Sequence, residues 1–222
     1  MSEYFTTPQI QQMAELVRSR INKLPRVGLI LGSGLGSLAE TIPNPVRVAY
    51  SSLPGFPVST VEGHIGQFVF GDLEEQPAMI MQGRFHYYEG YSMAEVTLPV
   101  RVMQVLGVEV LIVTNAAGAV NPNFEPGEVM LITDHLNLIG MGGLSPLRGP
   151  NLAEFGPRFP DMGRAYDRAL AETAPRLKQG RPTTPRSAEP SASEETSRPS
   201  GNSGTGSSAS RVPPSGSPRR FS

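Results

Sequence analysis

The run Met81–Gly90, MQGRFHYYEG, sets Arg84, His86, Tyr87, Tyr88 and Glu89 among glycines, directly after the apolar stretch Ala78–Met81. An arginine offers a planar fork of charge-assisted hydrogen bonds to an oxyanion, and a histidine two residues on adds a donor whose strength follows its protonation. The pairing suits phosphate better than a metal. Upstream, the apolar Val27–Leu31 runs into GSGLG, Gly32–Gly36, whose glycines let backbone amides approach a ligand closely. Each of these readings has a plainer rival. GSGLG alone fits a tight turn packing helix on sheet, and it is not a Walker A loop because no GK[ST] follows. Arg84 and His86 could form a surface ion-pair cluster, but a strand-end position with flanking glycines favours a functional role.

The elements that must position these groups can be read from apolar periodicity. Pro8 follows Thr7 as a first-turn proline follows an N-cap, and Ile10, Met13, Leu16, Val17, Ile21 and Leu24 recur near helical period. Arg26–Leu31 reads as a buried strand, with a short helix near Ser37–Glu40. Val46–Tyr50, Gly66–Leu73 and Pro77–Met81 read as strands, the last two separated by a turn at Glu74–Gln76. Ser92 caps an expected helix Met93–Leu106; Val108–Thr114 and Glu128–Thr133 are expected strands, and Asp161–Leu177 an expected helix. The Gly- and Pro-rich Gly140–Asp161, with Phe155 and Phe159 inside it, is longer than an ordinary connection and reads as a binding loop. The alternation predicts an α/β fold with a mixed central β-sheet flanked by helices. Ser33, Arg84, His86, Asn115 and Ala116 all follow strands, where α/β sheets bind ligands.

Composition narrows the function classes. The 222 residues suffice for one sizeable domain, expected over residues 1–180. With 19 basic against 20 acidic side chains the formal net charge is -1, so no overall field attracts nucleic acid or anionic membrane, and an anion site must be local. The absence of cysteine removes disulfides, thiolate catalysis and cysteine-ligated metals. Three scattered histidines without HExxH spacing argue against a metal site. No signal-peptide pattern opens the chain and no run of about 18 apolar residues occurs, so a soluble, cytoplasmic protein is expected. Arg181–Ser222, made almost wholly of Ser, Pro, Gly, Thr and Arg, is expected to be a disordered tail. His135, beside Asp134, reads as a satisfied structural histidine, and His64 and Phe159 taken alone as a loop histidine and a loop anchor.

Five segments in order carry a resemblance to a known family. GSGLG at Gly32–Gly36, GHIGQFVFG at Gly63–Gly71, MQGRFHYYEGY at Met81–Tyr91, VTNAAGAVNPNFEPGEVMLITDHLN at Val113–Asn137, and PLRGPN with FGPRFPDM further on resemble the trimeric purine nucleoside phosphorylases, from about Val27 to Leu170. The resemblance implies a nucleoside phosphorylase-like fold and reversible phosphorolysis of purine ribo- and deoxyribonucleosides to free base and pentose 1-phosphate. No cofactor is implied; inorganic phosphate is the co-substrate. Carried onto matching positions, Ser33, Arg84, His86 and the Ala116 amide hold the phosphate, with Arg84 and His86 catalytic, His64 closing near it and Tyr88 against the ribose. Phe159 covers the ribose of a neighbouring subunit, which implies a homotrimer. The likeness stops at LKQG, Leu177–Gly180, and the family's base-binding residues find no match beyond it. A truncated or frame-shifted reading frame is the expected origin of the tail. Two alternatives remain: a phosphate-binding remnant without turnover, and, as the lesser one, a methylthioadenosine phosphorylase, which shares the fold.

Overall fold

The computed structural model describes residues 4–32, 34–58 and 65–180, with side chains to residue 174. Helix α1 (Thr7–Arg18) is followed by strand β1 (Val27–Ile30), a 3-10 turn at Gly36–Thr41, and strands β2 (Val46–Ala49), β3 (Gln67–Leu73) and β4 (Gln76–Gln82). Helix α2 (Met93–Val105), strand β5 (Val110–Val113), the short helix α3 (Leu138–Met141) and helix α4 (Arg168–Gly180) complete the order. The five strands form one mixed sheet in the order β2-β3-β4-β1-β5. β1 runs parallel to both β4 and β5, while β3 is antiparallel to β2 and β4. The carboxyl ends of three adjacent parallel strands therefore share one edge of the sheet. The amino end of β3 joins them there, with Gln67 opposite Gln82.

Period-two alternation sends each strand's side chains to two cores. Met79 and Met81 of β4, with Phe68 and Phe70 of β3, face α1 and α2, which contribute Ile10, Met13, Ala14, Val17, Leu98, Val102, Met103 and Leu106. Ala78 and Ile80 of β4, Val69 of β3 and Leu29 of β1 face the other way, against Leu31, Ala39 and Ile42. At the site end of the first core, Tyr50, Phe56, Phe68 and Phe85 form an aromatic cluster with ring centroids 4.8 to 5.7 Å apart. The buried Tyr50 hydroxyl donates to the Gly83 carbonyl at 2.8 Å, and burial pushes it well above the usual phenol range, so it stays a donor.

Several expectations are corrected. α1 is capped by Thr6 rather than Thr7, through a reciprocal pairing with Gln9, and it ends at Arg18. Only Glu74 and Glu75 form the β3-β4 turn; both take positive φ, 47° and 63°, the two-residue geometry whose twist matches a hairpin, and Gln76 is already paired with Leu73. Glu128–Thr133 is not a strand, because it lies alongside no sheet partner and stands exposed. Of Asp161–Leu177 only the part from Arg168 onward is α-helix; Asp161 instead caps a 3-10 turn at Met162–Arg164. The parallel strand β5, apolar throughout, pairs only with β1 among the described residues, and Val113 is 59% exposed. The expected disordered tail, Arg181–Ser222, lies outside the described residues.

Replacing Tyr50 by Phe keeps the ring packing but strips the Gly83 carbonyl, one residue before Arg84, of this partner. Urea denaturation should show Tyr50→Phe less stable by about 1–3 kcal/mol; an unchanged midpoint would mean that the bond contributes nothing.

Candidate functional site

Gly83, at φ 91°, turns the chain out of β4. Phe85 is buried in the aromatic cluster, and in extended backbone its neighbours must point the other way. Arg84 and His86 are thereby held outward on one side. Arg84 Nε donates to His86 Nε2 at 3.1 Å, and Arg84 Nη1 donates to the Thr114 carbonyl at 2.7 Å. Because Nε2 accepts, the neutral imidazole carries its proton on Nδ1, which donates to Glu89 Oε1 at 2.8 Å. The same carboxylate oxygen accepts from the His86 backbone N–H at 2.8 Å. The Glu89 side chain is only 2% exposed and that of His86 16%, so the ring is fixed by a dry carboxylate from behind. Tyr88 stacks on it at a centroid separation of 4.7 Å and an angle of 16°, while remaining 75% exposed.

The glycine turn reaches the same place from β1. The Gly32 amide donates to the Thr114 hydroxyl at 2.8 Å, and that hydroxyl donates to the Ile30 carbonyl at 3.2 Å. A β-carbon on residue 32 would lie 2.7 Å from the Thr114 carbonyl oxygen and 2.9 Å from Asn115 Cα, so only glycine permits this approach. Gly34, at φ 87°, carries the turn onward, and Leu35 N–H closes it on the Gly32 carbonyl at 3.2 Å. Thr114 thus joins Gly32 to Arg84, and Ala116 follows two residues later in exposed backbone.

Of the sequence-predicted residues, Arg84, His86 and Tyr88 converge, and the Thr114 carbonyl brings the start of the Asn115–Ala116 segment to Arg84. Ser33 and His64 lie outside the described residues. Phe159 stands 88% exposed and is not gathered into this cluster within the chain. His135 pairs through Nδ1 with the Tyr166 hydroxyl at 2.6 Å and stacks on its ring, away from solvent-excluded surroundings. Thr114 was missed as a site residue, and Glu89, noted in the run Met81–Gly90, was given no role. The spacing His86-x-x-Glu89 is a capping-box signal that could have found the second; Thr114 offered only its position at a strand end. Among the described residues no group of three or more histidines and carboxylates is placed to hold a metal ion.

Residues 26–189 match the model of the Phosphorylase superfamily. The chain is 56% identical over 169 residues to purine nucleoside phosphorylase 1 of Bacillus subtilis, covering 76% of this chain and 61% of that protein. It is 52% identical over 174 residues to the purine nucleoside phosphorylase of Rattus norvegicus, covering 78% and 60%. The crystal structure of isoform 2 of purine nucleoside phosphorylase from Schistosoma mansoni, in complex with cytosine and ribose-1-phosphate, superposes with a TM-score of 0.75 at 43% identity, covering 81% of this chain and 62% of that one. The chain thus spans about three fifths of the length of the curated relatives it matches.

Two outcomes test this geometry. Nitrogen-15 chemical shifts should place the proton of neutral His86 on Nδ1, and Glu89→Ala should abolish that preference; a proton on Nε2 would contradict the Arg84 contact. Thr114→Val keeps the carbonyl for Arg84 but leaves the Gly32 amide unpaired, and should destabilise by about 1–3 kcal/mol in urea.

Proposed function

This chain belongs to the phosphorylase superfamily, and from that premise we propose that it acts in the phosphorolysis of purine ribo- and deoxyribonucleosides, giving pentose 1-phosphate and free base. The observation that carries the reading is the convergence of Arg84, His86 and the Gly32 turn at the carboxyl ends of three parallel strands. In this reading Ser33, Arg84, His86 and the Ala116 amide hold inorganic phosphate, and His64 closes near it. Tyr88, stacked on His86 and exposed on its outer side, lies against the ribose. Phe159 suits a contact across subunits because it projects from its own chain, so a homotrimer is part of the proposal.

The chemistry follows from charge. A phosphate oxygen forms a bond to the anomeric carbon as the glycosidic C–N bond breaks, and the electron pair of that bond leaves with the base, which takes up a proton. Positive charge builds on the sugar in between, and an anion fixed beneath it both attacks and stabilises. Arg84 and His86 hold that anion, and no metal or organic cofactor is required. No described helix is long and apolar enough to cross a membrane; a cytoplasmic role in purine salvage, without nucleic-acid or membrane partners, completes the proposal. A second reading, phosphate binding without turnover, is favoured by one observation: Arg84, His86 and the Gly32 turn, the groups that would hold the anion, converge, while of the ribose candidates only Tyr88 joins them within the chain. Base-binding residues are unassigned in both.

The purified chain, given inosine and orthophosphate, should release hypoxanthine, and Arg84→Ala should cut kcat/KM by about 10²–10³-fold. Orthophosphate that raises the Tm without any base release would establish the second reading instead. Turnover of methylthioadenosine but not inosine would assign the chain to that lesser branch, and indifference to all three ligands would end every version.

A further inference from the structure

The glycine turn has two ends. The Gly32 end is tied to Thr114. The Gly36 end is tied to Gln82, the last residue of β4, whose Nε2 donates to the Gly36 carbonyl at 3.0 Å. Gln82 is 4% exposed, set at the end of a strand whose other buried residues are apolar. Both N–H donors and the carbonyl oxygen of its carboxamide are engaged: Nε2 also donates to Glu40 Oε1 at 2.9 Å, and Oε1 accepts from Gln67 Nε2 at 2.7 Å. Glu40 is held in turn by Arg47 at 2.7 Å. Its carboxyl lies below the usual carboxylate range, first because Gln82 donates to it and then because Arg47 faces it. One side chain thus gathers β3, β4 and the 3-10 turn that follows GSGLG.

A buried carboxamide is a costly choice for a position that a methionine or leucine would fill, because each polar atom must be satisfied once removed from water. What a fully bonded group adds over an apolar one is a single defined arrangement of its partners. Here the arrangement matters for one reason. Arg84 lies two residues beyond Gln82 on the same backbone, while the glycine turn hangs from the Gln82 side chain. The distance between the guanidinium and the turn's amides is therefore set through this residue, and a ligand gripped by both is sensitive to shifts well below an ångström.

We propose that Gln82 is a positioning residue of the phosphate site, fixing the Gly36 end of the glycine turn against the strand that carries Arg84 and His86. The inference rests on the phosphate reading above and adds to it a residue that touches no substrate.

The test is calorimetric titration of the full chain and its variants with orthophosphate, alongside urea denaturation. Gln82→Met fills the same space without the carboxamide and should weaken phosphate binding about tenfold or more while unfolding in one cooperative step. Glu40→Ala removes the neighbouring contact and its ion pair with Arg47 but leaves the Gly36 bond, and should change affinity less than about twofold. Should Gln82→Met not fold, Gln82→Glu is the second variant: it keeps the length and the acceptor for Gln67 but turns an acceptor toward the Gly36 carbonyl, and the same loss is expected. Wild-type affinity in a folded Gln82 variant, or an equal loss in Glu40→Ala, would overturn the proposal while leaving the functional reading intact. A parent chain that ignores orthophosphate, and does so whether or not Arg84 is present, would overturn the functional reading and this inference with it.

Discussion

The bond from the Gly32 amide to the Thr114 hydroxyl is the joint on which the site depends. β1 and β5 run side by side in parallel, but adjacency alone leaves their outgoing loops free to diverge. Thr114 prevents this by serving three strand ends at once: its hydroxyl takes the Gly32 N–H and gives to Ile30, and its carbonyl takes Arg84 Nη1 from the loop after β4. The close approach this demands excludes any side chain at residue 32. A glycine whose value looked generic in the sequence is thus required by one backbone carbonyl 2.7 Å from where its β-carbon would stand.

The rigidity behind that joint comes from the sheet. Burying β4 on both faces, between the α1-α2 layer and the smaller cluster around Ile42, makes it the strand least able to shift. Arg84 and His86 leave directly from it, and Phe85 between them is clamped by Tyr50 and Phe56. Hydrophobic burial therefore fixes the direction of two polar side chains that themselves face outward. The Tyr50 hydroxyl on Gly83 adds a directional bond at the point where the strand becomes a loop.

Much of this could be read from residue order. The strands were legible because short apolar runs closed by glycine admit few other readings, and the strand-end placement of Arg84 and His86 follows from the run that precedes them. Glu128–Thr133 misled because an apolar run states a preference for burial and not a partner: Val129 and Met130 stand exposed where no strand lies alongside. The two-glutamate hairpin turn was blurred because Glu74 and Glu75 carry none of the usual signals for positive φ. Thr114 was invisible for a different reason. Its importance lies in a carbonyl and a hydroxyl meeting groups more than 25 residues away in the chain, Gly32 at a separation of 82 and Arg84 at 30, and no local pattern encodes such pairings.

The hydrogen-bond accounting around His86 constrains what the site can hold. Arg84 Nε has one hydrogen, and it points at His86 Nε2. An oxyanion that engages the arginine fork through Nε takes that hydrogen away and leaves Nε2 as a lone pair facing the ligand. With Nδ1 committed to Glu89, the neutral ring in this tautomer can only accept there, so on the phosphate reading proposed above an oxygen facing Nε2 pairs with it by bringing its own proton, whereas the imidazolium form would donate to a bare oxyanion. A singly protonated phosphate supplies that hydrogen and still offers unprotonated oxygens to the guanidinium and the turn amides. Sulfate, which matches phosphate in shape but carries no proton near neutral pH, would meet the imidazole lone pair with another lone pair. On that reading, discrimination between the two anions rests with the neutral ring that Glu89 orients and not with the arginine, whose fork accepts either.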